Sequence, residues 1–156
     1  MRLGLDVAQQ RLPWDEIVRR VQLAEELDFD GVWGFDHFQP MYGDGPGEAF
    51  EGMTTLAALS GVTSRVRLGL LVAGMTYRHP AVYAAQALTI DHASHGRLEM
   101  SFGAAWFDKE HDELGIPFPP ATEPLRSSAK LRSSPWILPA RFRPMNPPRS
   151  AKNSKP

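Results

Sequence analysis

The stretch VRLGLLV, residues 66–72, decides how the rest of this sequence folds. It is almost continuously apolar, which is typical of a strand buried on both faces of a parallel sheet. Pro80 suits the first turn of a helix that runs to about Ser94, and Gly96 ends that helix. Another strand is predicted at 97–102. This strand–helix–strand unit indicates two parallel neighbours joined by a right-handed crossover.

The same alternation continues on both sides of that unit. The pattern predicts further strands at 3–7 and 32–35 and helices at 15–27, 53–62 and 108–114. Four strands alternating with helices fit a Rossmann-type sheet or a (β/α) barrel. A Rossmann-type sheet needs a glycine-rich turn after its first strand, whereas AQQR, residues 8–11, has no glycine. The sequence therefore favours an α/β fold with about four parallel β/α units of a (β/α)8 TIM-type barrel, with the strands in consecutive order.

Composition narrows the classes of function. The chain has 156 residues, a net charge of −1 and no cysteine, which excludes disulfides, thiol catalysis and cysteine-based metal sites. The balanced charge gives no overall attraction to nucleic acid, and no apolar run is long enough to span a membrane. We therefore expect a cytoplasmic protein with no membrane partner and no specific nucleic-acid partner.

Charge and proline content change abruptly near residue 120. Residues 1–120 contain seventeen acidic and nine basic side chains, whereas residues 121–156 contain eight basic side chains and one acid, Glu123. The second part also holds seven of the fourteen prolines and shows no sustained apolar period. We therefore predict a folded unit over 1–120 and a disordered, basic, proline- and serine-rich tail over 121–156.

Asp36 and His37 directly follow the second predicted strand. The loops after the strands carry the chemistry of a (β/α) barrel. An imidazole can take up a proton near neutral pH, and an adjacent carboxylate can tune it or bind a donor. Asp36 and His37 are therefore the candidate catalytic residues, although a solvated loop pair would look the same.

The other aromatic and histidine residues suggest no further site. Trp33 and Trp106 are expected to be packing groups. The remaining candidates are expected to be scattered over the surface without a shared metal-ligand spacing, so no bound metal is expected. These residues are His92, His95, Glu110 and His111.

Several segments, taken in order, resemble the luciferase-like family of oxidoreductases, and especially its F420-dependent branch. They are AEELDFDGVW (24–33), DH (36–37), RLGLLVAGMTYRHP (67–80), GRLE (96–99), GAAWF (103–107), EH (110–111) and GIPFPP (115–120). The resemblance implies the amino-terminal half of a barrel that binds F420, with FMN as the alternative cofactor. It further implies hydride transfer between F420 and a small organic substrate, or, as the alternative, an FMN-dependent monooxygenase.

The resemblance also assigns roles to individual positions. His37 matches the base that accepts an alcohol proton, and Asp36 matches a residue beside the cofactor. Leu71 and Val72 fall where relatives often have a non-proline cis peptide behind the flavin ring, and Gly74 follows on the same loop. Arg78 would face the cofactor. The sequence departs from the pattern at Leu70 and Ala73, where relatives often carry threonine, so hydroxyl contacts to the cofactor would be lost.

The segment Gly103, Ala104 and Ala105 precedes the predicted short helix. Small residues let backbone N–H groups approach a phosphate or a flavin edge, and a helix amino terminus favours an anion. These three residues are therefore candidate cofactor-binding residues, although helix capping explains them equally well. Relatives usually have glycine at the position of Ala105.

The resemblance ends near Glu123, where family members continue with four more β/α units. A closed barrel needs about 250 residues. We therefore expect a truncated chain of little or no activity, whose exposed strand edges would favour self-association. The alternative to an oxidoreductase is a protein of another functional class, a non-catalytic fragment with a basic disordered tail.

Overall fold

The computed structural model describes residues 1–120 and Thr122, and within this range strands and helices alternate. The strands are β1 (Gly4–Asp6), β2 (Gly31–Gly34), β3 (Arg67–Leu70), β4 (Ala73–Gly74), β5 (Leu98–Glu99) and β6 (Phe102–Gly103). The helices are α1 (Trp14–Glu26), α2 (Gly52–Ser60), α3 (Pro80–Ala93) and α4 (Asp108–Leu114). The predicted tail over 121–156 lies outside the described residues, apart from Thr122.

The main sheet has four parallel strands in the order β1-β2-β3-β5. Val32 of β2 lies between Leu5 of β1 and Leu68 of β3, and Leu68 in turn lies beside Leu98 of β5. Consecutive order excludes the doubly wound arrangement, in which the first strand lies inside the sheet. The predicted α/β fold with consecutive parallel β/α units is confirmed.

Two predicted strands are interrupted near their carboxyl ends. The strand predicted over 66–72 ends at Leu70, and the chain resumes as β4 after a cis peptide bond between Leu71 and Val72. The cis bond is what the family resemblance implies. The strand predicted over 97–102 likewise divides into β5 and β6, and β6 pairs in parallel with β4. The prediction of continuous strands is wrong here, because the pattern of apolar residues does not show where a strand leaves the sheet.

The helices cover the sheet with apolar side chains at helical spacing. In α1, Ile17, Val21 and Ala24 are buried, and the acidic residues Asp15 and Glu16 lie in the first turn, where the helix dipole favours them. The shared core also contains the strand residues Val32, Leu68, Leu70 and Leu98 together with Met53, Leu56, Leu59, Tyr83, Ala84, Ala87 and Ile90. Within the described range, no helix has the length and apolar character needed to cross a membrane.

Arg97 joins several connections at the amino-terminal end of the sheet. Its guanidinium donates to the carbonyl oxygens of Ser60 (3.0 Å), Thr63 (3.0 Å), Val66 (2.9 Å) and Ser94 (2.8 Å). Arg97 is itself buried. A buried carbonyl without a donor is costly, so this one side chain stabilises the ends of α2 and α3 and the entry to β3.

Candidate functional site

The carboxyl end of the sheet brings together most of the residues that the sequence nominated. The backbone N–H of Gly74 in β4 donates to the Asp36 carboxylate after β2, with an N–O distance of 2.7 Å. The carbonyl of Gly103 in β6 accepts from the N–H of Met75 at 3.0 Å. A Cβ atom on Gly103 would lie 2.9 Å from Val72 Cγ2. Residues 36–37, 72–74 and 103 therefore share one rim of the sheet.

Asp36 is buried beneath this rim. Its carboxylate accepts from Arg78 Nη1 at 2.6 Å and Nη2 at 2.8 Å, in addition to the N–H of Gly74. Arg78 also donates to Glu51, the amino-terminal cap of α2, at 2.7 Å. The guanidinium of Arg78 thus joins these two carboxylates, and the expectation that Arg78 faces the cofactor stays a prediction. Asp36 therefore orders the rim, and its direct role in catalysis or cofactor binding stays a prediction.

Opposite charges at the rim shift the pKa values of Arg78 and Glu51 toward their ionised forms. Burial lowers the pKa of Arg78, but the hydrogen bond and charge of Asp36 and the charge of Glu51 outweigh it and raise the net pKa. Burial raises the pKa of Glu51, but donors from Thr54 and Met53 and the charge of Arg78 lower it overall. Arg78 and Glu51 are therefore both ionised near neutral pH and attract each other at the rim.

His37 lies beside a second buried carboxylate, that of Glu110 in α4. His37 Nδ1 is 3.0 Å from Glu110 Oε2 and 3.1 Å from the hydroxyl oxygen of Tyr77. Tyr77 also donates to Glu110 Oε2. The other carboxylate oxygen, Oε1, accepts from the backbone N–H groups of Phe38 (2.6 Å) and Gln39 (2.8 Å). Glu110 therefore holds both the ring of His37 and the backbone that follows it.

The protonation states of Glu110 and Tyr77 follow from these contacts. Burial raises the pKa of Glu110, but hydrogen bonds from Tyr77, His37, Phe38 and Gln39 outweigh it, so the net pKa is lowered. Burial and the hydrogen bond to Glu110 both raise the pKa of Tyr77. Near neutral pH, Glu110 is therefore a carboxylate and Tyr77 a protonated phenol that donates to it.

Apolar side chains remain exposed at the rim. Leu71, Val72 and Trp106 are 66%, 43% and 68% exposed. The ring centroid of Trp106 is 6.1 Å from that of His37, and the ring centroid of Phe107 is 6.0 Å away. Trp106 was expected to be a packing group, and that expectation is wrong. The rim therefore presents an apolar surface next to an imidazole.

Glu110 and His111 were expected on the surface, but both are fully buried, at 0% exposure. His111 Nδ1 lies 2.7 Å from the carbonyl of Phe107, and Nε2 lies 2.7 Å from the hydroxyl of Thr76. Its ring stacks on Tyr77, with centroids 4.8 Å apart. The expectation failed because the periodicity of a seven-residue helix does not define which face packs inward. The family resemblance included the segments 67–80 and 110–111, which contain Tyr77 and Glu110. The neighbouring residues in the chain gave no sign that either side chain contacts His37.

The small residues at the end of β6 and directly after it begin next to Val72 and Gly74 on the same rim. Ala105 adopts the left-handed conformation, with φ of 62°, which glycine adopts more readily. Ala104 lies between Ala105 and Gly103, directly before the short connection to α4. Gly74 is also constrained, since a side chain there would collide with the ring of Tyr77. Among the described residues, no group of three or more His, Cys, Asp or Glu side chains could hold a metal ion.

Comparison with known proteins agrees with this fold. The family profile described as luciferase-like monooxygenase matches residues 1–129. An F420-dependent glucose-6-phosphate dehydrogenase of Microbacterium testaceum is 34% identical over 124 residues, which are 79% of this chain and 36% of that protein. A 5,10-methylenetetrahydromethanopterin reductase of Methanopyrus kandleri is 31% identical over 105 residues, covering 67% of this chain and 27% of the relative. The chain thus spans about a third of the length of these relatives.

A solved structure of an F420-dependent secondary alcohol dehydrogenase with an F420–acetone adduct superposes with a TM-score of 0.72 at 21% identity. The match covers 86% of this chain and 42% of that one, and at this identity it concerns the fold. The family match covers most of the chain and includes every strand and helix described above. The chain belongs to the luciferase-like monooxygenase family.

Proposed function

We propose that this chain forms part of an oxidoreductase site that uses F420 to transfer a hydride to or from a small organic substrate. The observation that carries the proposal is the placement of His37, an imidazole held at the carboxyl rim beside an exposed apolar surface. The F420-dependent dehydrogenase and the methylenetetrahydromethanopterin reductase that resemble the chain support this choice of chemistry.

The residues of the rim fit a deazaflavin. A planar ring system needs an apolar surface to lie against and polar groups that face its substrate. Leu71, Val72 and Trp106 provide the apolar surface, and they come from the adjoining ends of β3, β4 and β6. Backbone groups of residues 103–105 adjoin this surface. These residues, with Gly74 and Asp36 ordering the loop, would hold the cofactor.

The chemistry is divided between cofactor and protein. When bound, F420 supplies a two-electron carrier for the hydride. For an alcohol substrate, the C–H bond gives up the hydride and the O–H bond gives up a proton as the carbonyl forms. The protein must accept that proton, and His37 is the group at the rim that can do so near neutral pH.

A cofactor titration with matched variants tests the proposal. We expect the protein to quench F420 fluorescence at micromolar concentration, and Leu71→Asp to abolish this binding by placing a charge on the apolar surface. Leu23→Asp, at an exposed leucine of α1, is the matched control and should bind normally. Binding of FMN but not F420 would favour the monooxygenase alternative. Binding of neither cofactor would contradict the proposal.

We also propose that the outer strands associate with a second copy of the chain. In the part of the chain that the structure describes, β1 and β5 each pair on one side only. Unpaired strand edges favour pairing with other strands, and a closed barrel has none. Sedimentation should therefore show a dimer or larger species, and a stable monomer would contradict this proposal.

A further inference from the structure

We infer that Glu110, assisted by Tyr77, positions His37 so that the imidazole carries its proton on Nδ1 and offers Nε2 to the substrate. The catalytic meaning of this inference rests on the proposed function, whereas the tautomer is a property of the chain itself. Glu110 is on α4, which is 73 residues from His37 in the sequence. It acts through His37 and is therefore a positioning residue.

The two oxygens of Glu110 have separate tasks. Oε1 accepts from the backbone N–H groups of Phe38 and Gln39, which cannot rotate away. Oε2 faces His37 Nδ1 and the hydroxyl of Tyr77. Because the backbone donors fix Oε1, they also fix which atom of the carboxylate faces the imidazole.

The contacts of His37 Nδ1 determine where the proton lies. A carboxylate oxygen can only accept. The phenol of Tyr77 gives its single proton to Glu110 and so presents only lone pairs to the imidazole. Both polar neighbours of Nδ1 are therefore acceptors, and Nδ1 must donate. A neutral imidazole carries one N–H, so Nε2 keeps its lone pair.

Nε2 is left free by the same arrangement. Within the described residues, Nε2 of His37 makes no hydrogen bond, while the side chain is 13% exposed. The aromatic rings of Phe35, Trp106 and Phe107 lie around the imidazole. The ring is thus restrained by a buried carboxylate on one side and open to a ligand through Nε2.

Glu110→Gln tests this arrangement because it replaces the acceptor oxygen Oε2, which faces His37 Nδ1, with an amide NH2 donor. The backbone N–H groups of Phe38 and Gln39 require the amide oxygen at the site of Oε1. The amide NH2 must then face His37 Nδ1, which becomes the acceptor. The proton should move to Nε2, and the imidazole should lose its free lone pair toward the substrate.

The measurement is long-range proton–nitrogen correlation spectroscopy of the 15N-labelled protein at about pH 8.5, above the ordinary histidine range of about 6.5. His37→Asn identifies the signals of His37. We expect a protonated Nδ1 in the wild type, a protonated Nε2 in Glu110→Gln, and no change in Glu113→Gln, a matched and more exposed glutamate of the same helix. Tyr77→Phe should keep the wild-type tautomer, since Glu110 remains.

A wild-type spectrum with the proton on Nε2, or a Glu110→Gln spectrum that keeps it on Nδ1, would overturn the inference. If Glu110→Gln does not fold, the wild-type and Tyr77→Phe spectra still decide it. In F420 turnover, we expect Glu110→Gln to lower kcat by about 100-fold or more, with little change in the Kd for F420. A tautomer switch in a protein that does not bind F420 would support the inference and contradict only the proposed function.

Discussion

At the amino-terminal end of the sheet, charged side chains bond mainly to backbone groups, whereas at the carboxyl end they bond largely to one another. Arg97 donates to four backbone carbonyls, and Glu25 accepts from the backbone N–H groups of Ser64 and Val66. At the carboxyl end, Asp36 pairs with Arg78, and Glu110 with His37 and Tyr77.

The difference shows how one sheet separates stability from chemistry. Four backbone carbonyls and the hydroxyl of Thr63 together accept from all five N–H groups of Arg97 and leave none for a ligand. The carboxyl end instead leaves one imidazole nitrogen of His37 without a partner among the described residues, beside the exposed ring of Trp106. This division is typical of (β/α) barrels, in which the carboxyl face carries the site and the amino face contributes stability.

The largest expected effect is on turnover. Where the wild-type chain turns over F420, His37→Ala should lower kcat by about 100-fold or more, because it removes the proton acceptor at the rim. The thermal midpoint should change little, since no backbone group depends on this side chain. Steady-state kinetics and a melting curve measure the two quantities. Turnover within a factor of two of the wild type would remove His37 from the mechanism.

Next comes the stability of the amino-terminal end. Arg97→Met should lower the free energy of unfolding by about 4 kcal/mol, because three buried carbonyls and one half-buried carbonyl each lose a donor. Urea unfolding measures the loss. Under native conditions the remaining folded protein should bind F420 with the wild-type Kd. A higher Kd for F420 in the folded protein would show that the amino-terminal and carboxyl ends of the sheet are coupled, which would contradict the separation of stability from chemistry.

A smaller loss of stability is expected at the rim, accompanied by a loss of binding. Asp36→Asn removes one carboxylate partner of Arg78, which keeps Glu51, so the expected cost is about 3 kcal/mol, the lower end for a broken buried ion pair. Since Asp36 also holds the N–H of Gly74, F420 affinity should fall in the same variant. Urea unfolding and fluorescence titration check both effects. An unchanged affinity would assign Asp36 to stability alone.

The smallest expected effect concerns pH. Burial raises the pKa of Glu25, but the N–H groups of Val66, Arg65 and Ser64 outweigh it and bring the net pKa below its ordinary 4.5. A lowered folded-state pKa gives stability that is fully present above pH 4.5 and lost as pH falls toward the folded value. Glu25→Gln should therefore make the free energy of unfolding fall less steeply below pH 4.5. An unchanged acid slope would contradict this.

The fold was largely predictable from local patterns. A parallel sheet with consecutive strands was predicted from three features of the sequence. These are the apolar stretch 66–72, the alternation of strand and helix patterns, and the absence of glycine at 8–11. The interruption at Leu71 and Val72 was not predictable from apolarity alone. These residues are apolar but exposed, as expected of a surface that serves a ligand rather than the core.

The site was predictable only in part. Asp36 and His37 could be nominated because they follow a strand directly. Glu110 could not, since its contact with His37 spans 73 residues and depends on how a short helix packs. Tertiary packing determines whether a glutamate such as Glu110 is buried, and the sequence pattern of α4 does not indicate it.

Hydrogen exchange with and without F420 tests the comparison of the two ends most directly. We predict that F420 slows amide exchange at 71–77 and 103–107, where the apolar rim and the small residues adjoin His37. Exchange at 60–66 and 94–97, around Arg97, should stay unchanged. Protection at the amino-terminal segments, or no protection at the rim while F420 is bound, would contradict the account.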